Sequence, residues 1–268
     1  MRNESRMSGS GRGGEKPIAE MRRGAYRLLL HLKIVAAEGK PKRAALRRLR
    51  DLVTDALLQA GFQFDPGNPE HRKSGNESRY TIFRLPYPSR AGEAALRPEI
   101  QVELGAWPLR CPAVALPVSS FVAEAYKNPP EVATIACVSI TQTAAEKFVA
   151  LTRRVAAELA LAEAARDPTL VRHIYDLHVT CEHYDIEEVA ALAREVIPHD
   201  VEVFGNQRPE YRADPMAAIG HALQALESDR HYARQFTEFQ RLMVYGDIAD
   251  YADAIETACK LWTRIRFA

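Results

Sequence analysis

The run Val132-Ala-Thr-Ile-Ala-Cys-Val138 gives way within a few residues to Thr143-Ala-Ala-Glu146-Lys147-Phe148-Val149-Ala-Leu151. The change of pattern between the two decides the fold. The first run is continuously apolar, has strand length and carries β-branched residues. The second opens with Thr-x-x-Glu, the spacing in which a helix's first side chains cap its own free amides. It predicts a helix from Thr143 to about Ala165. Strand patterns lie only before this point and helix patterns dominate after it. The expected class is therefore α+β, with a sheet-containing part to about residue 140 and a helical part from 141 to 268.

Upstream, Tyr80-Thr-Ile-Phe-Arg-Leu85 is aromatic and β-branched and is stopped by Pro86 and Pro88, so it reads as a strand. Arg97-Pro-Glu-Ile-Gln-Val-Glu103-Leu104 alternates. Ile100, Val102 and Leu104 point one way; Glu99, Gln101 and Glu103 point the other. Asp65-Pro-Gly-Asn-Pro69 reads as a turn, and the polar run from it to Ser78 as a loop. Residues 18–60 read as helical. Leu28, Leu29 and Leu32 form one stripe; Leu46, Leu49, Leu52, Val53, Ala56 and Leu57 form another. Gly39-Lys40-Pro41 separates the two. Residues 1–17, rich in Gly, Ser and Arg, read as a disordered basic tail.

Downstream, Asp167-Pro168 interrupts the helical pattern, which resumes from Thr169 to about His183. Asp185, with Glu188 three residues on, caps the next helix. Asp214-Pro215 opens another, with proline where a first turn tolerates it. The last helices cover Arg230 to Trp262, with Gly246 as a break.

Composition narrows the function classes. The chain has 268 residues, 47% of them hydrophobic and 26% charged, which are ordinary globular values. No apolar run approaches the ~18 residues of a membrane helix, and the polar first residues lack the apolar core of a secretion signal. The four cysteines stand apart with no Cys-x-x-Cys pair, which points to free thiols rather than a zinc knuckle or a disulfide framework. A cytoplasmic protein is expected. Net charge is +1, but residues 1–50 carry +10 and the remainder −9. That basic region suits a phosphate-rich partner; a solvated helix face with a tail would produce the same count.

Three constellations could carry chemistry. On the helix after Thr143, Arg154 and Glu158 each fall within about 20° of Lys147 at helical periodicity. Two cations on one side of a helix can neutralise and align a triphosphate; an exposed face with an Arg–Glu pair has the same pattern. On the helix 169–183, Arg172, His173, Thr180 and His183 lie within about 60° of Asp176. Leu170, Ile174, Leu177 and Cys181 lie opposite and should be core. Asp176 could take a proton from an attacking hydroxyl, or be a surface carboxylate paired with Arg172. Glu103 with Glu99 lies on the polar side of the alternating strand, where it could bind a metal ion or face water. His173, His178 and His183 do not form a metal trio, because steps of five turn His178 away from the other two.

In order, these segments resemble a known family. Ser139-Ile-Thr-Gln-Thr-Ala-Ala-Glu-Lys147-Phe-Val-Ala-Leu151-Thr-Arg-Arg154 resembles the AEK-x-x-AL-x-x-R helix of the AbiEii/AbiGii toxin nucleotidyltransferases. Arg172-His173-Ile-Tyr-Asp176-Leu177 resembles their R-[DH]-x-Y-D-L helix. Arg97-Pro-Glu-Ile-Gln-Val-Glu103-Leu-Gly105 resembles their RPEI-x-[LV]-E-[FL]-G strand. The resemblance runs from about residue 79 to the C-terminus.

It implies a polymerase-β-like core, here a partial mixed sheet with helices over 18–140, followed by an all-helical domain over 141–268. It implies Mg²⁺-assisted transfer of a nucleotide from an NTP to an acceptor such as tRNA, by the toxin of a toxin–antitoxin (abortive infection) pair with a cognate antitoxin. Carried over by position, Lys147 steadies the triphosphate and Asp176 is the catalytic carboxylate. Arg154, Arg172 and His173 support substrate, and Glu103 is the metal candidate.

The sequence departs from the family at its start. The Gly-Gly-Ser/Thr turn and Ser-x-Asp-x-Asp strand have no counterpart around Gly9–Gly14, and the first aspartate is Asp51, on a Leu/Arg-rich helix. Without that pair of carboxylates the metal clamp is incomplete. The expectation is a shortened or inactive member, or a non-catalytic remnant that binds RNA, nucleotide or a partner.

Overall fold

The computed structural model describes residues 43–75, 78–88, 99–106, 109–159, 161, 166–244 and 248–267. The basic tail 1–17, the first helical stripe from residue 18 with the break at Gly39-Lys40-Pro41, Arg97, Pro98, the stretch 162–165 and Gly246 lie outside them.

Helix α1 (Arg43–Gln59) is amphipathic. It lays Val53 and Leu57 against Phe64, Phe83 and Leu85, the centre of a small core. That core also covers one face of an antiparallel sheet in the order β1 (Arg72–Gly75), β2 (Tyr80–Pro86), β3 (Glu99–Gly105). Central β2 pairs Ile82 with Glu103 and Phe83 with Val102. The alternation read in β3 sends Val102 and Leu104 toward the core. Ile100, near the strand's start, stays 47% exposed.

Strand β1 falls inside the run read as a loop, so that reading is corrected. Its residues Arg-Lys-Ser-Gly are mostly exposed and carry no apolar signal. Pairing with β2 makes it a strand, reinforced by the Ser74–Thr81 hydroxyl contact at 2.8 Å.

A second, two-stranded antiparallel sheet joins β4 (Val114–Val118) to β5 (Val132–Cys137), with the short helix α2 (Phe121–Ala125) between them. Strand β4 was not read from sequence. It contains Pro117, which has no N–H to donate, and its register slips between Leu116 and Val118.

Helix α3 (Ile140–Glu158) begins earlier than its sequence suggested. Ser139 is the cap, accepting from the Gln142 amide at 3.1 Å. Ser139-x-x-Gln142 has the same capping spacing as Thr143-x-x-Glu146 and wins because it comes one turn sooner. Helix α4 is shorter than expected (Arg172–Thr180), preceded by a turn from Asp167 and followed by a 3₁₀ turn over Cys181–His183.

Helix α5 (Ile186–Phe204) is capped by Asp185, which accepts from the amides of Glu187 and Glu188. A short α6 (Pro209–Ala213) precedes α7 (Pro215–Ser228), capped by Asp214. Helices α8 (Arg230–Met243) and α9 (Tyr251–Phe267) follow. Central α3 packs on α4, α5 and α7, while α9 closes over α4 and α5. Their main core includes Phe148, Leu151, Val155, Ile174, Leu177, Ile219, Leu226 and Phe236.

The class is α+β, as read: small antiparallel sheets with helices, then a helical C-terminal region. The two parts are tied at Gln142 on α3. Its buried side-chain oxygen accepts from the amides of Arg110 (2.9 Å) and Cys111 (3.1 Å). The four cysteines are free thiols. Among the described residues no helix is long and apolar enough to cross a membrane.

Candidate functional site

Helices α3 and α4 approach each other through the faces that carry Lys147 and Asp176. Phe148, Val149, Leu151 and Val155 bury the other side of α3 completely. Leu170, Ile174 and Leu177 do the same for the α4 segment. With those faces committed, the polar stripes are left to meet across the seam. The Lys147 ammonium donates to Asp176 Oδ2 in a direct ion pair. Its side chains are only 13% and 9% exposed.

This corrects the reading of Asp176 as a surface carboxylate. The helix is one and a half turns shorter than its pattern and is embedded, so its polar stripe faces α3 instead of water. The same reasoning buries His173 and leaves Arg172 half-buried at the head of α4.

Two turns along α3, Arg154 forms a second pair, through Nη2 to Asp167 Oδ2. Its Nη1 stands 3.4 Å from His173 Nε2. Asp167 was read only as a helix breaker, and it is the residue sequence reasoning missed. Its Oδ1 accepts from the Thr169 amide (2.8 Å) and hydroxyl (2.7 Å). Burial works against its ionisation, but the bonds from Thr169 and then the Arg154 charge outweigh it, holding its carboxyl below the ordinary range.

Glu158 closes this group by accepting from the Asp167 amide at 3.0 Å. Burial pushes its carboxyl above the ordinary 4.5; the Asp167 amide opposes the shift and the Asp167 charge adds to it. The folded state thus holds this proton more tightly than the unfolded chain. That contribution is full below the unfolded value and is lost as pH rises through the folded one. Glu158→Gln, neutral throughout, is expected to match the parent at pH 4 and to be the more stable at pH 7. Urea unfolding at the two pH values checks it.

Glu103 lies apart from these helices on β3. It is exposed and accepts from the Gln101 amide nitrogen. Among the described residues no group of three His, Cys, Asp or Glu side chains gathers as a metal site. Glu103 is a lone carboxylate and Asp176 is already engaged by Lys147. The described residues do not fit a divalent ion.

An α+β chain with a cation and a carboxylate joined across adjacent helices is compatible with phosphoryl-group chemistry, and residues 29–258 match a family of nucleotidyl transferases that act as toxins. The chain belongs to that family, described as nucleotidyl transferase AbiEii toxin of type IV toxin–antitoxin systems. No curated protein and no solved structure matches it.

Proposed function

We propose that the chain transfers a nucleotidyl group from an NTP to the terminal hydroxyl of an acceptor such as tRNA, with α3 and α4 as the working pair. The observation that carries the reading is the direct, largely buried contact of Lys147 with Asp176. In this reading the incoming triphosphate exchanges with Asp176 for the Lys147 ammonium. The freed carboxylate then accepts the acceptor's proton as its oxygen attacks the α-phosphorus, and pyrophosphate leaves with the electrons of the broken P–O bond.

Arg154, Arg172 and His173 support the phosphates. The divalent ion implied by the family is Mg²⁺, and the lone Glu103 does not by itself hold one. A cognate antitoxin is the implied partner, and a cytoplasmic location fits this setting.

The acceptor's phosphates have a surface to meet. Arg43, Arg47 and Arg48 are exposed at the start of α1, and that helix has no acidic residue in its first turn. Arg43, in the first turn, opposes the macrodipole by roughly 0.3–1 kcal/mol, so helix stability does not explain it. RNA contact does.

Labelled NTP, Mg²⁺ and bulk tRNA are incubated with the parent, Lys147→Ala and Asp176→Asn. The expected result is incorporation by the parent and at least about a hundredfold loss in Asp176→Asn, the scale of a lost general base. Equal incorporation by all three rejects these assignments.

The second reading is a non-catalytic member that binds RNA, nucleotide or a partner. The Lys147–Asp176 pair, closed on itself and largely buried, favours it. Salt-dependent RNA binding without incorporation is its signature.

A further inference from the structure

We propose that Asp167 is a positioning residue of this site: through its ion pair with Arg154 it fixes a second phosphate-binding cation on the face of α3 that carries Lys147. The inference rests on the reading of Lys147 as a triphosphate ligand and adds a residue to it.

The case is geometric. Lys147 and Arg154 are seven residues apart on one helix, about 10 Å along its axis and nearly in line. An arginine at that spacing serves a polyphosphate only if its long side chain is held; left free, it must lose several rotors on binding. Here the guanidinium is gripped at two points, by Asp167 at Nη2 and by His173 at Nη1. The grip is itself anchored. Asp167 uses its other oxygen to accept from the amide and hydroxyl of Thr169, and gives its own amide to Glu158. The carboxylate is therefore fixed to the turn that leads into α4, and the backbone of Asp167 to the last residue of α3.

The held group is not sealed. The Arg154 and Asp167 side chains are 33% and 34% exposed, against 13% and 9% for Lys147 and Asp176. A guanidinium has five N–H donors in a rigid fork, and those not turned to Asp167 and His173 remain for an anion. The arrangement is a preorganised cation at the open end of the seam, with the buried pair deeper in.

Electrostatics alone gives the opposite expectation. A carboxylate beside a phosphate site repels the ligand, so removing its charge without any loss of position tightens binding. The sign of the effect separates positioning from mere proximity.

The experiment uses the full chain and two probes. Inorganic tripolyphosphate is titrated calorimetrically into the parent, Asp167→Asn, Asp167→Glu and Asp229→Asn. Asparagine at 167 keeps an acceptor for Thr169 but loses the ion pair. Asp229→Asn removes the neighbouring 2.6 Å pair with Arg166 and serves as a control for a lost ion pair. Melting curves confirm that each variant is folded. The expected result is roughly tenfold weaker binding in Asp167→Asn, the scale on which a supporting partner matters to a ligand site. Asp167→Glu should recover part of the loss and Asp229→Asn should bind as the parent does.

In NTP turnover the same variant should raise KM by a similar factor with kcat within about twofold of the parent. Unchanged or tighter binding in Asp167→Asn, or equal weakening in Asp229→Asn, overturns the inference. A parent that binds no tripolyphosphate overturns it together with the reading of Lys147. A parent that binds tripolyphosphate but incorporates no nucleotide, with the Asp167→Asn loss intact, sinks the transferase reading and leaves Asp167 as the organiser of an anion site.

Discussion

Lys147→Ala is expected to cost the fold about 3–5 kcal/mol, the scale of removing one partner from a buried ion pair. The loss comes from Asp176, which stays in a seam where its side chain is 9% exposed with its ammonium removed. Replacing both charges tests this origin. Lys147→Met combined with Asp176→Leu fills similar volume without charge and should recover most or all of the lost stability. The double variant should still be inactive in any assay that depends on the pair.

The pH dependence has a definite sign. Removing the Lys147 ammonium raises the proton affinity of the Asp176 carboxylate relative to the parent. The Lys147→Ala deficit should therefore be largest at neutral pH and shrink as the solution is acidified. Urea unfolding between pH 4.5 and 7.5 measures it. A deficit independent of pH, or one that the double variant fails to relieve, would show that the pair is not what holds this seam.

Much of this site could be read from the sequence, for a reason that also sets the limit. Helical periodicity is local. It placed Lys147 with Arg154, and Asp176 with Arg172 and His173, because each set lies within one helix. It could not say that the two stripes face each other, since the surface that buries α4 is built from α3, α8 and α9. Asp167 escaped for the same reason. Beside a proline it reads as punctuation, and its bond to Arg154 spans thirteen residues, beyond any spacing within a helix. Gln142 reaches back thirty-two residues to Arg110 and is equally silent in a periodicity argument.

The strands divide in the same way. β2 and β3 have side chains that record which face meets the core, while β5 is read from its apolar, β-branched residues although it is mostly exposed. β1 has none to bury, and β4 carries a proline that breaks the signal. Caps were legible where the capping residue was unrivalled, at Asp185 and Asp214. At α3, two candidate caps one turn apart compete, and composition does not rank them.

Phe148→Ala supplies the contrast that makes the Lys147 experiment interpretable. Phe148 is the next residue on α3, is 0% exposed and belongs to the main helical core. Its truncation should also cost about 3–5 kcal/mol, through lost transfer energy and the cavity left behind. The two neighbours thus destabilise the same helix by similar amounts for different physical reasons. A cavity has no proton to bind, so the Phe148→Ala deficit should stay flat across the pH range in which the Lys147→Ala deficit shrinks. Phe148→Leu, which leaves a smaller void, should cost less and be just as flat. Unfolding curves for the three variants at each pH separate packing from charge at one turn of α3. If Phe148→Ala followed the same pH slope as Lys147→Ala, the slope would belong to the loosening of α3 as a whole. The assignment of a buried, functionally poised pair at Lys147 and Asp176 would then lose its energetic support.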